Sequence, residues 1–353
     1  MRILFNVAHP AHVHLFRNSI ALLRSKGHEA RIVSVEREIT NHLLEAYGLQ
    51  HETLGKSHRD LLVKSFDTMH RDLKMVKIIK RLRPDLTVST GIPYSVQAAR
   101  LCGTPSIAFS DTEIATLVLQ AMVPFVSAIC TPSCFELDLG PKQIKYNGYH
   151  ELAYLHPNHF TPDPSILHHC GIEEGEPFIL ARISSADSSH DLGVKGSFLD
   201  DSTLASDFLS WLEQYGRVIV TSELPLPKQL RSYQLEIPPH RILDLLSFAT
   251  LYVGEGATMA SEAGVLGVPW IYVSDSSRGY LRDQEENYGL GRTVPDWKSA
   301  RGTIAEWLNR QDTESSWRAK REKLLSEKID VTAFITEFIE DWPRSFAELS
   351  GVS

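Results

Sequence analysis

The stretch Val253-Gly254-Glu255-Gly256-Ala257-Thr258-Met259-Ala260-Ser261-Glu262-Ala263 decides the fold. The apolar run Leu251–Val253 reads as a buried strand. Two glycines then permit a tight turn, and a helix begins near Thr258 and runs to Leu266. Trp270–Val273 is the next apolar run, so strand, turn, helix and strand make a βαβ unit of a parallel sheet. A helix that starts directly after a strand offers free N–H groups and the positive end of its dipole. Gly254, Gly256, Ala257 and Thr258 therefore suit a phosphate or diphosphate. The spacing departs from G-x-G-x-x-G, because Met259 occupies the third glycine position. Glu262, one turn further in, can receive two hydroxyls of a ribose side by side. The plainer alternative is that the glycines only close the turn and Glu262 is solvated.

The same alternation extends in both directions. Strands are expected at Phe178–Ala181 and Val218–Thr221, with helices near Leu204–Tyr215 and Arg241–Leu246. Nearer the N-terminus, strands are expected at Ile3–Val7, Ala30–Val35, Leu86–Ser89, Ser106–Phe109 and Ser127–Thr131. Between the first two, Val13, Phe16, Ile20 and Leu23 repeat at helical spacing. Helices follow at Ile39–Tyr47, Leu61–Leu82 and up to Leu101, and the chain from Ala300 onward reads as helical. His156–Pro177 is rich in proline and glycine and reads as a linker. The expectation is an α/β protein of two doubly wound, Rossmann-like domains, 1–160 and 161–330, facing a central cleft. A helix in 331–353 is expected to pack back on the first domain. Ligands of such sheets bind beyond the carboxyl ends of the strands.

Composition bounds the function. The chain has 353 residues, 42% of them hydrophobic and 23% charged, which excludes disorder over its whole length. Its formal net charge of -8 argues against a nucleic-acid binder. Four cysteines do not make a disulfide framework in a chain this long, so a reduced, cytoplasmic protein is expected.

Other loops after strands carry further candidates. Gln284 and Asn287, at i and i+3 beyond Trp270–Val273, share a helix face that could hold sugar hydroxyls, or simply be wet. Arg182 and Ser184 follow the strand at Phe178, and a guanidinium binds two oxygens of a diphosphate at once. His9, His12 and His14 follow the first strand. Metal binding is disfavoured, because His12 and His14 would point to different sides of a helix. A general base is the other reading, for which His12 is the candidate. Asp111 is first a helix N-cap and second an alternative base. Thr90-Gly91-Ile92-Pro93 reads as a loop lining the cleft. Tyr146 to Leu155 concentrates aromatic and hydrogen-bonding groups near the linker, either for function or to pack the hinge. Leu117-Val118-Leu119 with Met122 to Val126 could offer apolar surface to a membrane or a lipid-linked acceptor, though buried core is the weightier reading.

Ala11-His12-Val13 with the closing Lys26-Gly27-His28 resembles the opening of GT-B glycosyltransferases, most of all the enzyme that adds N-acetylglucosamine to the peptidoglycan lipid precursor. Here Ala8-His9-Pro10-Ala11 replaces that family's glycine-rich loop, and His12 matches its loop histidine. Gly256 to Ala263 and Gly267-Val268-Pro269 resemble its nucleotide-binding segment, which implies that Glu262 holds the ribose and that Gln284 and Asn287 face the donor sugar. Non-hydrolysing UDP-N-acetylglucosamine 2-epimerases share this fold. The closest overall likeness is to a prokaryotic family of undefined function, number 354 among the domains of unknown function. It rests on Pro10 to Phe16, Tyr146 to Leu155 and Thr258 to Ala263. The resemblance implies a transferase that uses a nucleotide-sugar, UDP-linked, on a glycan or lipid-linked acceptor, with no tightly bound cofactor and no metal. The alternatives are a UDP-sugar 2-epimerase and a non-catalytic nucleotide-sugar binding protein. For the epimerase, His9, Asp111, Glu113 and His190 are the candidate parts.

Overall fold

The computed structural model describes residues 1–56, 61–183, 202–222 and 226–351. It contains two parallel sheets with helices between the strands. The first is built from β1 (Arg2–Val7), β2 (Glu29–Glu36), β3 (Glu52–Lys56), β4 (Leu86–Ser89), β5 (Ser106–Phe109), β6 (Ala128–Pro132) and β7 (Gln143–Tyr146), in the order β3-β2-β1-β4-β5-β6-β7. The second is built from β8 (Phe178–Ile183), β9 (Arg217–Ser222), β10 (Leu251–Gly254), β11 (Trp270–Val273) and β12 (Gly291–Val294), in the order β12-β11-β10-β8-β9. Every neighbouring pair in the two sheets is parallel. These are two Rossmann-like domains.

The chain divides into two compact units. One comprises Met1–His159 with Ile329–Ser353, the other Phe160–Lys328. In each sheet the strand order reverses once, between β1 and β4 and between β8 and β10. Such a switch point separates the flanking helices at the carboxyl ends of two adjacent strands and leaves room for a ligand.

The central strands are buried on both faces, as parallel sheets require, and so read as unbroken apolar runs. β3, β7 and β12 escape that reading. All three are edge strands of four or five residues, and β7 alternates buried and open positions.

In the first unit the helix Val331–Glu340 lies on the helix Pro10–Ser25. The hydroxyl of Thr332 donates to the carbonyl of Ala153, and Asn18 donates to the same carbonyl at 2.9 Å. Asp330 caps this helix, accepting the amide of Ala333 at 3.1 Å, while His159 and Asn158 hold its other oxygen at 2.8 and 2.9 Å. Tyr146 stacks on Phe334 with centroids 4.9 Å apart, and a side chain at Gly148 would overlap Val331. The Tyr146 to Leu155 segment is thus the seat of the returning helix. On the 116–126 segment, Leu119, Met122 and Val126 belong to the core, whereas Leu117 is 79% exposed. Among the described residues no helix is long and apolar enough to cross a membrane.

Candidate functional site

At the switch point of the second sheet, β10 ends on Gly254, paired with Arg182 of β8. A side chain at Gly254 would collide with the Arg182 carbonyl, and the Glu255 amide donates to that same carbonyl at 3.0 Å. The strands can therefore approach this closely only with glycine at 254. Gly256 is the N-cap of the helix Ala257–Leu266, and no side chain caps it. Its carbonyl accepts the Tyr252 hydroxyl at 3.0 Å, which fixes the turn from below. The first-turn N–H groups are left to a ligand or to water. Glu262 is 5% exposed, one turn inside. Burial pushes the Tyr252 phenol far above its ordinary range, with Arg182 opposing and Glu262 adding, so both charges act at this turn. Ser184, and with it His190, lies outside the described residues.

The structure corrects the placement of Gln284 and Asn287. Gln284 is fully buried, its oxygen accepting Trp270 Nε1 at 3.1 Å and its nitrogen donating to Ser261 Oγ at 2.8 Å. Its amide has no face left for a sugar. Asn287 is exposed and donates to Asp283 at 2.7 Å, and Asp283 pairs with the buried Lys328 at 2.8 Å. Helical spacing put the two residues on one side, but the helix Gly279–Glu286 turns Gln284 inward and ends before Asn287.

In the first unit the three histidines separate into three jobs. His9 is the N-cap of the helix Pro10–Ser25, its ring accepting the amide of Ala11 at 3.2 Å. His12 Nδ1 accepts the amide of Ala8 at 3.2 Å, so a neutral ring carries its proton on Nε2, and Thr90 Oγ1 lies 2.9 Å from Nδ1 and 2.8 Å from Nε2. Burial first, then His9 and His150, hold His12 well below the usual histidine range, against the pull of Asp111. Through these contacts His12 joins the loop after β1 to Thr90, just beyond β4, at the switch point.

His14 is buried against Tyr154 and Tyr47, and burial pushes it down to about 3. Unfolding lets it protonate near 6.5, so its contribution to stability is complete above that pH and is lost as pH falls toward 3. The expected loss is about 1.4 kcal/mol per pH unit within that window. Denaturant unfolding of wild type and His14→Leu at several pH values measures it. The variant is expected to have the shallower slope, and parallel slopes would refute the assignment.

Asp111 is not a helix cap, because the next helix, Thr116–Met122, starts five residues later with Ala115 before it. Its carboxylate instead meets a residue not counted among the site candidates. His150 Nδ1 lies 3.0 Å from Asp111 Oδ2, and the Thr112 hydroxyl donates to Oδ1 at 2.9 Å. The side chains are 23% and 12% exposed, so solvent reaches the carboxylate. Burial alone would raise the Asp111 carboxyl; the charge and hydrogen bond of His150 outweigh it and hold the group at about 2. His150 moves the other way: burial opposes its charge, but Asp111 and then Glu151 raise it. The pair stands beyond the ends of β5 and β7, among the same loops as His12 and Thr90. Its sequence signal was a histidine just after the Asn147-Gly148 turn. Among the described residues no three His, Cys, Asp or Glu side chains are grouped to hold a metal ion.

Solved structures of similar fold cover nearly the whole chain. The UDP-GlcNAc 2-epimerase of Neisseria meningitidis, bound to UDP-GlcNAc, superposes with a TM-score of 0.73 at 10% identity, over 96% of this chain and 100% of that one. The UDP-GlcNAc 2-epimerase of Methanocaldococcus jannaschii gives 0.64 at 11% identity, over 92% and 99%. A Streptomyces glycosyltransferase gives 0.58 at 15% identity, over 97% and 100%. At these identities the likeness is one of fold. No curated protein matches the sequence. Residues 1–277 match the model of the family described as "protein of unknown function (DUF354)", and the chain belongs to that family.

Proposed function

We propose that this protein is a glycosyltransferase of the GT-B fold that takes its sugar from a nucleotide-sugar, UDP-linked, and passes it to a hydroxyl acceptor of a glycan or lipid-linked precursor. The observation that carries the proposal is the turn at Gly254–Thr258. Bare glycine backbone, an uncapped helix N-terminus and Arg182 meet at a topological switch point, the combination that receives a diphosphate. In this reading the turn and Arg182 stabilise the leaving diphosphate, Glu262 takes the ribose, and Asp111 receives the acceptor hydroxyl. The fold's known members that bind UDP-sugars or nucleotides support it.

Calorimetric titration with UDP, GDP, CMP and ADP tests the reading. Selective UDP binding is expected. Glu262→Ala should weaken it by about 1.5 kcal/mol or more, the loss of a hydrogen bond to a charged group, or roughly tenfold. Arg182→Ala should weaken UDP but not uridine. A folded sample that binds no nucleotide would sink the proposal.

The epimerase is the second reading, favoured by the gathering of His9, His12, Asp111 and His150 in one unit. UDP-GlcNAc incubated alone in D2O separates the two. An epimerase exchanges the sugar C2 proton without an acceptor, and the transferase leaves it in place.

A further inference from the structure

Within the reading of Asp111 as the acceptor-binding carboxylate, we propose that His150 is a positioning residue. Its imidazole holds Asp111 ionised and fixed, and so sets the acid limit of the reaction. The geometry begins with the backbone. The turn that carries His150 is pinned by the Ile329 amide, which donates to the Asn147 carbonyl at 2.9 Å, and by Ser133, which lies 3.3 Å from Asn147 Oδ1. Tyr149, Glu151 and Leu152 around it are buried. The ring lies parallel to Tyr146, within 10° and with centroids 6.5 Å apart, and directs Nδ1 at Asp111 Oδ2. Thr112 takes one site on Oδ1. A carboxylate offers about four lone-pair sites, so room remains for a substrate hydroxyl.

The charges agree with that arrangement. Asp111 and Glu151 act on His150, His150 acts on Asp111 and His12, and Arg37 and His9 add positive charge at His12. Tyr146 lies in the fields of Asp111, Cys130, Cys134 and Glu151. With the imidazolium gone, only hydrogen bonds such as that of Thr112 would oppose burial at Asp111, and the carboxylate would take up a proton at a higher pH. A carboxyl that must be ionised loses its function as pH falls through that value.

The experiment is the pH profile of UDP release from a UDP-sugar by wild type, His150→Asn and His150→Leu. The asparagine amide replaces the Nδ1–H donor without its charge, and leucine removes both. His150→Asn is expected to move the acid limb upward, costing about tenfold in rate at acid pH for each unit moved, with KM for the donor unchanged. His150→Leu should lose rate at every pH, with Asn partly restoring it at neutral pH. Coincident acid limbs in wild type and His150→Asn overturn the inference and leave the transferase reading standing. UDP release here is hydrolysis, with water taking the sugar in place of the acceptor; where wild type releases none, the ring titration of His150 decides the inference instead. If His150→Asn does not fold, the coupling is read from its partner. The His150 ring NMR signals should titrate at lower pH in Asp111→Asn than in wild type, and an unchanged titration overturns the inference.

Discussion

Asp111→Asn is expected to lower the rate of sugar transfer by a factor of about 10² to 10⁴, the usual contribution of a positioned general base. UDP affinity should stay within about twofold, because Asp111 belongs to the first unit and the nucleotide groups to the second. The substitution keeps the shape and can still accept the Thr112 hydroxyl. It removes the charge, and with it the partner of a His150 that is only 12% exposed. His150 should then stay neutral at pH 7, so the fold is expected to persist with a small loss of stability. Transfer kinetics beside calorimetry with UDP decide it. A variant that transfers at the wild-type rate would remove Asp111 from the chemistry.

The second large effect is on stability and reverses the usual rule for glycine in helices. Gly264 and Gly302 both sit inside helices, Ala257–Leu266 and Trp297–Leu308. Replacing helical glycine by alanine ordinarily gains about 0.5–1 kcal/mol. Gly302→Ala should do so, since a methyl there meets nothing within 4 Å. At Gly264 the methyl would overlap the Gln284 amide and lie 2.8 Å from Trp270 Nε1. Both groups are fully buried and bonded to each other at 3.1 Å. Overpacking costs about 1–3 kcal/mol, and a broken buried hydrogen bond about as much again. The propensity gain is outweighed, and Gly264→Ala should lose roughly 2–4 kcal/mol. Urea midpoints of the two variants should move in opposite directions, and a stabilised Gly264→Ala would contradict the packing described here.

The interior of both sheets was legible because parallel strands buried on two faces leave unbroken apolar runs, as at Leu86–Ser89 and Trp270–Val273. β3, β7 and β12 were not, since an edge strand needs only one neighbour and few apolar residues. The glycine turn at 254–256 was legible because backbone crowding leaves a residue type behind. Gln284 was not: spacing says which residues share a helix side, not which side meets the core. The surroundings of His12 were not legible either: Thr90 is 78 positions away, and no local pattern shows that the two side chains meet. His150 was not singled out, because the aromatic and apolar residues around it suit packing and function equally.

The helix Val331–Glu340 and the residues around it, 329–353, complete a unit whose first part ends at His159. On the ribosome, Phe160–Lys328 is synthesised before that helix exists. The contiguous unit can therefore finish folding first, while the earlier one waits with the seat around Ser19, Gly148 and Ala153 uncovered. Order of synthesis and order of completion are inverted, and the segment left uncovered during that interval includes the one that carries His150.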